Sequence, residues 1–490
     1  MLAILPRLLL NWETNKGEVK MSLIGIKFRC NPKGQQRKVL CQWMGCSRFV
    51  WNAKCEENDY FYKFKQKFLP LNTKTPIDQS YSQFKSHELS PWLSCCPSQI
   101  LRNTMCTWRE TMSNFLQGRC GHPRKKKKSD GGSIWLTSEL FRFDVGPDGK
   151  KRLFIGTKTN NIGYLDFIAH RDFADPKSIH IKQKHGKFSI SFCYESVSKN
   201  IDHLTQVDHL KYLSQKSFAE LASMSIGVDR GVAIPVHTGV AQFDYNTEQK
   251  RTKNKAAISI RILQKRLSRQ RKCSQQRLKT KKRLCSKHEK LANIRMDFAH
   301  KTSHKIISDK NIKVIIFEDL NTKGLTKSPK AKTDECGRFV KNGARAKAGL
   351  NRAILDKGFG LIERFCAYKA ARACKAFFKV SALYTSQECA DCGHTHPDNR
   401  QSQSLFLCIR CGHADNADRN AALVIKKRAI KLILDSGTEL SDKGVLIPGR
   451  YRARSSHKTE RAKVHSAMSV EASKMTELGL SALVLEAQPL

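Results

Sequence analysis

Residues 21 to 30, Met-Ser-Leu-Ile-Gly-Ile-Lys-Phe-Arg-Cys, alternate as a strand does, with every second side chain on one face. Pro32 then opens a predicted helical region rich in aromatics, among them Trp43, Phe49, Trp51, Tyr60, Phe61 and Tyr62, which are read as core rather than as base-stacking platforms. A second helix is predicted from Ser98 to Leu116, ending near Gly118. Strand-like segments return at Ser133 to Phe143, Arg152 to Ile155 and Ser178 to Tyr194. The first part of the chain is thus expected to be a small β unit interrupted by helices, with residues 195 to 225 as a linker.

Two apolar runs beyond that linker predict core strands. Met-Ser-Ile-Gly-Val ends at Asp229 and is followed by Arg-Gly-Val-Ala-Ile-Pro-Val and a turn at Thr238-Gly239, a hairpin with an acid at a strand end. Ile312-Lys-Val-Ile-Ile-Phe is a continuous run of the kind a buried strand carries, closed by Glu318. Between them, residues 251 to 290 place Ile258, Ile262 and Leu267 at helical spacing, an apolar stripe on an otherwise basic helix. After Gly437 the pattern dissolves, and residues 441 to 490 are expected to be a flexible tail, mildly amphipathic from Met475 to Leu485.

Chemistry enters with the cysteines. Cys389 and Cys392 face Cys408 and Cys411 as two C-x-x-C pairs fifteen residues apart, a spacing that supplies four thiolates to one tetrahedral zinc. Redox dithiols are the alternative. His394 and His396 lie in the intervening hairpin and are read as bystanders. Asp418 follows seven residues after Cys411, inside Ala-Asp-Arg-Asn-Ala-Ala.

Asp229, Glu318 and Asp418 each stand at the end of a strand or the start of a helix. Alone, any one of them reads as a turn former or cap. Together, the order Asp, Glu, Asp, with a long insertion after the first and a cysteine knuckle before the third, resembles an RNase H-like nuclease of the RuvC type. Such chemistry gathers hard oxygen ligands around divalent ions about 3.5–4 Å apart, for which magnesium or manganese is suited.

Charge agrees with a polyanionic partner. The chain has 490 residues, 89 Lys plus Arg against 43 Asp plus Glu, and a formal net charge of +46. Residues 251 to 290 alone carry sixteen Lys or Arg and one acid, a face suited to phosphate contacts that read no sequence. The 18 cysteines are scattered along a long chain and fit a reducing cytoplasm better than a disulfide scaffold. The apolar start is broken by Pro6 and Arg7 and lacks a clear cleavage site, and no run approaches the roughly 18 residues that span a membrane.

The motifs Gly227-Val-Asp-Arg-Gly, Phe317-Glu-Asp-Leu-Asn, Leu350-Asn-Arg-Ala-Ile-Leu-Asp-Lys-Gly-Phe-Gly, Thr385-Ser-Gln-Glu-Cys-Ala-Asp-Cys-Gly-His and Asp418-Arg-Asn-Ala-Ala, in this order, resemble TnpB. TnpB is the transposon-encoded RNA-guided DNA nuclease related to type V CRISPR effectors. The likeness covers roughly residues 21 to 435 and implies Asp229, Glu318 and Asp418 as the catalytic, magnesium-holding acids. Asp415 is a decoy, since Asp418 stands two residues before Asn420-Ala-Ala. Ala421-Ala-Leu-Val-Ile departs from the asparagine that the family commonly has after the alanines.

The fold so implied is α+β and bilobed. A wedge β-barrel at 21–32 and 131–200 would carry an inserted helical recognition domain at 33–130. An RNase H-like nuclease at 201–380 and 415–440 would carry the zinc knuckle at 381–414, with 1–20 as an extension and 441–490 as a tail. The implied partners are a guide RNA and double-stranded target DNA, with a monomer favoured and a cytoplasmic, nucleoid-associated location. Tyr81, Gln99 and Asn103 occupy places similar to the family's motif-reading segments, and amide side chains can pair with adenine edges. Lys125, Lys126, Lys127 and Lys128 form a basic loop expected to touch phosphates. A miniature type V effector with the same chemistry and an RNA-guided regulator without cleavage remain alternatives. A strand-transfer transposase would use the order Asp, Asp, Glu.

Overall fold

The computed structural model describes residues 21–68, 70, 80–147, 149–157, 160–197 and 205–449. The predicted extension at 1–20 and most of the predicted tail, 450–490, lie outside the described residues. The chain divides into two compact units, 1–201 and 202–490.

The first unit runs through β1 (Met21–Cys30), α1 (Gly34–Phe68), α2 (Ser98–Leu116), β2 (Gly132–Thr137), β3 (Phe141–Val145), β4 (Lys151–Gly156), β5 (Asn161–Leu165), β6 (Phe167–Ile168), β7 (Ser178–Lys184) and β8 (Lys187–Val197). Strands β2-β7-β8-β1-β6 form one antiparallel sheet, in which β1 pairs with β8 along its whole length, from Met21 opposite Val197 to Cys30 opposite Phe188. Strands β3-β4-β5 form another. Phe143 of β3 meets Phe167, Phe173 and Phe192 at centroid distances of 5.9, 5.2 and 5.9 Å, so the two sheets share one aromatic cluster. The expected barrel is not closed among the described residues: the larger sheet ends at β2, against which α1 and α2 pack, and at the short β6. Nor do the helices make a separate core, because Leu40, Trp43, Val50, Ile100, Met105 and Trp108 belong to the same buried cluster as Phe28, Ile134 and Ile190. The aromatics of α1 divide: Trp43 and Trp51 are buried, but Tyr60 and Tyr62 are 73% and 54% exposed, since no described side chain of α1 beyond Asn58 is buried.

The second unit begins earlier than the predicted linker allows. Residues from 205 fold as α3 (Gln206–Leu213) and α4 (Phe218–Met224), each opened by a capping box, Thr205 with Asp208 and Ser217 with Glu220. Leu213 and Leu221 are buried in the core. Then come β9 (Ser225–Val228), β10 (Val236–His237), β11 (Gln242–Phe243), α5 (Thr247–Arg269), α6 (Gln275–Ser308), β12 (Val314–Glu318), α7 (Thr322–Leu325), β13 (Lys332–Thr333), β14 (Phe339–Val340), α8 (Ala344–Lys357), α9 (Phe359–Arg372), β15 (Ala376–Val380), β16 (Leu405–Leu407), β17 (Ala414–Asn416), α10 (Ala417–Leu434), β18 (Glu439–Leu440) and β19 (Leu446–Ile447).

Strands β15-β12-β9 form a parallel sheet with β12 central. Its alternate residues enter different cores: Ile315 and Phe317 pack with Phe298, Ile362 and Phe365 of α6 and α9, while Val314 and Ile316 pack with Ile425, Ala429 and Ile430 of α10. Burial on both faces explains the unbroken apolar run. On α5 the face turned inward is Ala256 and Ile260, whereas Ile258 and Ile262, expected as the stripe, are 57% and 61% exposed. The tail predicted from 441 is also corrected at its start. Strands β18 and β19 form a hairpin through Gly444, and Leu446 is buried in the core beside Val380, because an apolar side chain there completes the sheet edge. Among the described residues no helix is long and apolar enough to cross a membrane.

Candidate active site

Asp229 continues β9 by one residue. Its N–H donates to the His237 carbonyl at 2.8 Å and its carbonyl accepts from the His237 N–H at 3.0 Å, which closes the hairpin. On the neighbouring strand Phe317 pairs with Val228, so Glu318 stands level with Asp229. Asp418 arrives in the first turn of α10, whose cap, Asn416, accepts from the N–H groups of Asp418 and Arg419 at 3.0 and 3.2 Å. Gly227 lets that helix in. A Cβ at Gly227 would lie 2.1 Å from the Ala422 carbonyl oxygen, so α10 crosses β9 at a distance only glycine permits.

Asp229 feels the other two carboxyls. Burial, then the charges of Glu318 and Asp418, push the Asp229 carboxyl up to about 8. Glu318, 5% exposed, is raised by burial against the pull of Arg230, and its Oε2 accepts from the Thr385 hydroxyl at 3.4 Å. Asp418 is raised by burial as well, opposed by Arg400, whose guanidinium reaches to 3.8 Å from the knuckle hairpin, and by His237. Such a set offers the hard oxygen donors that a divalent cation takes. Asp415 is engaged elsewhere, paired with Arg419 at 3.3 Å; the acids whose charge acts on Asp229 are Glu318 and Asp418.

Beside this cluster the four cysteine sulfurs lie within 4.8 Å of one another, with Cys389 to Cys411 at 3.7 Å and Cys392 to Cys408 at 3.6 Å. Sulfurs about 2.3 Å from a tetrahedral zinc stand about 3.8 Å apart, so the donor set fits that ion. Both turns have the sequence C-x-x-C-G-H and the same backbone. Gly393 and Gly412 have φ of +74° and +71°, and the N–H groups of Cys389 and Cys408 each donate to the carbonyl of the following His at 2.9 Å. This short repeat is a signal in the sequence that the cysteine spacing alone leaves unused. Asn399, fully buried, ties the hairpin together by donating to the carbonyls of Gln387 and His394 at 2.9 and 3.1 Å.

The knuckle is docked on α10. Arg428 pairs with Glu388 and donates to the carbonyls of Ser381 and Leu383 at 3.1 and 2.7 Å, and Lys427 donates to the Ala390 carbonyl. Asn420, fully buried two residues past Asp418, bonds to the first cysteine turn. Sequence reasoning used Asn420 only as a landmark and passed over Arg400, Arg230 and Glu363. Arg230 donates to the Glu318 carbonyl and pairs with Glu363, whose carboxyl, despite burial, is held low by Arg230 and Lys379.

The other expected site residues belong to the first unit. Asn103 is 4% exposed and donates to the Trp135 carbonyl at 3.1 Å; its amide holds α2 to β2, and the expectation that it reads base edges is withdrawn. Gln99 is half-buried near the start of α2. Tyr81 packs against the core and donates to the Ser98 carbonyl at 3.3 Å. The basic loop is strapped along α1: Asn52 bonds both backbone groups of Lys126, whose ammonium sits 3.4 Å from the Trp51 ring centroid, and Lys125 pairs with Glu56 at 2.9 Å. Lys127 and Lys128 are exposed.

Fold and site together define a mixed α/β protein in which two acids at the ends of parallel strands and a third at a helix start lie beside a four-cysteine knuckle. The Cas12f1-like TNB domain model matches residues 359–425, and a helix-turn-helix domain model matches residues 21–65, which here are one strand and one long helix. The chain is 31% identical over 406 residues to putative RNA-guided DNA endonuclease InsQ of Escherichia coli strain K12, covering 82% of this chain and 90% of that one. It is 22% identical over 399 residues to a putative RNA-guided DNA endonuclease of Streptomyces pristinaespiralis, covering 81% and 87%. A 55-residue stretch is 46% identical to CRISPR-associated endodeoxyribonuclease Cas12f1 of Sulfoacidibacillus thermotolerans, 11% of this chain and 13% of that one. Among solved structures, the mini-RNA-guided endonuclease CRISPR-Cas_phi3 is matched over 85% of this chain and 93% of that one at 10% identity and a TM-score of 0.42. The chain belongs to the TnpB family.

Proposed function

We propose that this protein is an RNA-guided DNA endonuclease that cleaves target DNA beside a short flanking motif by RuvC-type hydrolysis at Asp229, Glu318 and Asp418. The observation that carries the proposal is the placement of these three acids: Glu318 stands level with Asp229 on adjacent strands, and Asp418 lies in the first turn of α10, which crosses β9 at Gly227. Magnesium or manganese held by the three carboxylates would activate water and stabilise the leaving oxygen. The protein's own contribution is placement. Two ligands stand level on adjacent parallel strands and the third is fixed by a capped helix start, so the site sits on rigid elements. Arg400 brings a guanidinium to the rim, where it can meet a phosphate oxygen. Zinc at Cys389, Cys392, Cys408 and Cys411 is structural and holds the knuckle against α10. The basic hairpin of α5 and α6 supplies backbone contacts to guide RNA and target, and the reaction belongs in the cytoplasm. The intact acids favour cleavage over the binding-only reading.

The test is to purify the protein with its RNA, sequence that RNA, and challenge the complex with plasmids carrying the complementary target and randomised flanks. Cleavage that needs the matching guide and is lost on chelation is expected. Cutting that ignores the copurified RNA, or that persists in Asp229→Ala, overturns the proposal.

A further inference from the structure

Arg230 follows Asp229 directly, and its side chain has 0% exposure. Nη2 donates to the backbone carbonyl of Glu318 at 2.6 Å, and Nη1 donates to Oε2 of Glu363 on α9 at 2.6 Å. The guanidinium lies 5.1 Å from the Phe317 ring centroid and 6.0 Å from that of Phe359. The other Glu363 oxygen accepts from Lys379 of β15 at 2.7 Å, and Lys379 also stands 3.4 Å from Asp319. The residue after the first acid is therefore bonded to the second acid's backbone. The residue after the second acid is tied back through β15 and α9 to the first.

Burying a guanidinium is costly, and here Nη1 and Nη2 are bonded while the buried Nε has no hydrogen-bond partner, so the arrangement is an expensive way to join two strands. A structural brace between strand ends could be made from apolar side chains without desolvating Arg230, Glu363 and Lys379. What an apolar brace could not do is hold two carboxylate-bearing strand ends level with a rigid, forked donor while placing fixed positive charge beneath them. Outer partners of this kind orient metal ligands and commonly change metal affinity by about 10–100-fold when removed.

We propose that Arg230, held in place by Glu363, is a positioning residue that fixes Asp229 and Glu318 relative to each other and so sets the affinity of the acid cluster for its divalent cation. This rests on the reading of the three acids as cation ligands. Lys379 completes the network by holding Glu363 from its far side, and its loss acts in the same direction with smaller effect.

The test uses the full chain with its copurified RNA and Mn2+ as the probe, with binding read from the free-ion electron paramagnetic resonance signal and zinc content and thermal unfolding measured alongside. In Arg230→Lys and Glu363→Gln the half-saturating Mn2+ concentration should rise by about tenfold or more, for binding and for cleavage alike, while one zinc is retained. Cleavage at saturating Mn2+ should largely recover. Should Arg230→Lys fail to fold, Glu363→Gln, which leaves the guanidinium and its bond to Glu318 in place, carries the same expectation. Folded variants that bind Mn2+ as the unsubstituted protein does overturn the inference. Asp229→Ala separates this from the function proposed above: if that variant also binds Mn2+ and cuts normally, it is the assignment of the acids that fails.

Discussion

Asn420 and Ala390 join the helix that carries Asp418 to the cysteine knuckle. The Asn420 Oδ1 accepts from the Ala390 N–H at 2.8 Å, while its Nδ2 donates to the neighbouring Glu388 carbonyl at 2.8 Å, with no solvent access to the side chain. An amide carries an acceptor and a donor side by side, and so satisfies a backbone donor and a backbone acceptor of one turn together. Asn420→Ala leaves both groups buried and unpaired, at a cost of about 1–3 kcal/mol each. Thermal unfolding should register that loss, and cleavage should fall while zinc is retained. Unchanged cleavage would mean that the knuckle does not position Asp418.

Replacing Asp229, Glu318 or Asp418 by Ala should lower cleavage more than about 100-fold, beyond what outer partners give, with guide and target binding largely kept. Asp415→Ala should still cut, because that carboxylate is spent on Arg419. Binding is read by gel shift and cleavage on the same plasmid. Activity that survives Asp418→Ala and vanishes with Asp415→Ala would reverse the assignment of the third acid.

Metal analysis of pure protein should find about one zinc per chain, as four thiolates at this separation require. Cys408→Ser should lose it, and hydrogen exchange should quicken through residues 385 to 420 before the rest of the second unit loosens. The drop in cleavage is then indirect, through Asp418. Protein without zinc but with full activity would reduce the four cysteines to bystanders.

Gln99 and Asn103 should now part company. Gln99→Ala, at a half-buried amide near the helix start, should change which flanking motif supports cleavage in a randomised-flank library. Asn103→Ala should leave the motif alone and cost about 1–3 kcal/mol of stability, because it strands the Trp135 carbonyl. A motif shift in Asn103→Ala without loss of stability would restore the reading that the buried geometry sets aside.

Charge on α5 should act on every sequence alike. Arg261, Lys265, Arg266 and Arg269 are exposed, and changing them together to Gln should weaken nucleic-acid binding uniformly. The slope of log K against log salt should flatten by about 0.7–0.9 for each phosphate that is no longer neutralised. Neutralising Lys127 and Lys128 should do the same on a smaller scale. A change confined to particular target sequences would show that these residues read bases.

Much of the site was legible along the chain because its parts are local. The cysteine pairs announce themselves by spacing, and Glu318 closes an apolar run that only a strand buried on both faces would carry. Asp229 could be read as a strand end because the turn residues after it are equally local. The capping boxes at Thr205 and Ser217 were present too, and show that the supposed linker was already helix. What the chain could not decide was which surfaces meet. Asn103 looks polar and available until β2 closes over it, and Ile258 and Ile262 look like a core stripe until α5 turns Ala256 and Ile260 inward. The same holds for Arg230, one basic residue among 89, whose partners lie 88 and 133 residues away. Spacing is a local property of the sequence, whereas burial and the pairing of distant charges exist only once the sheet and its helices have packed.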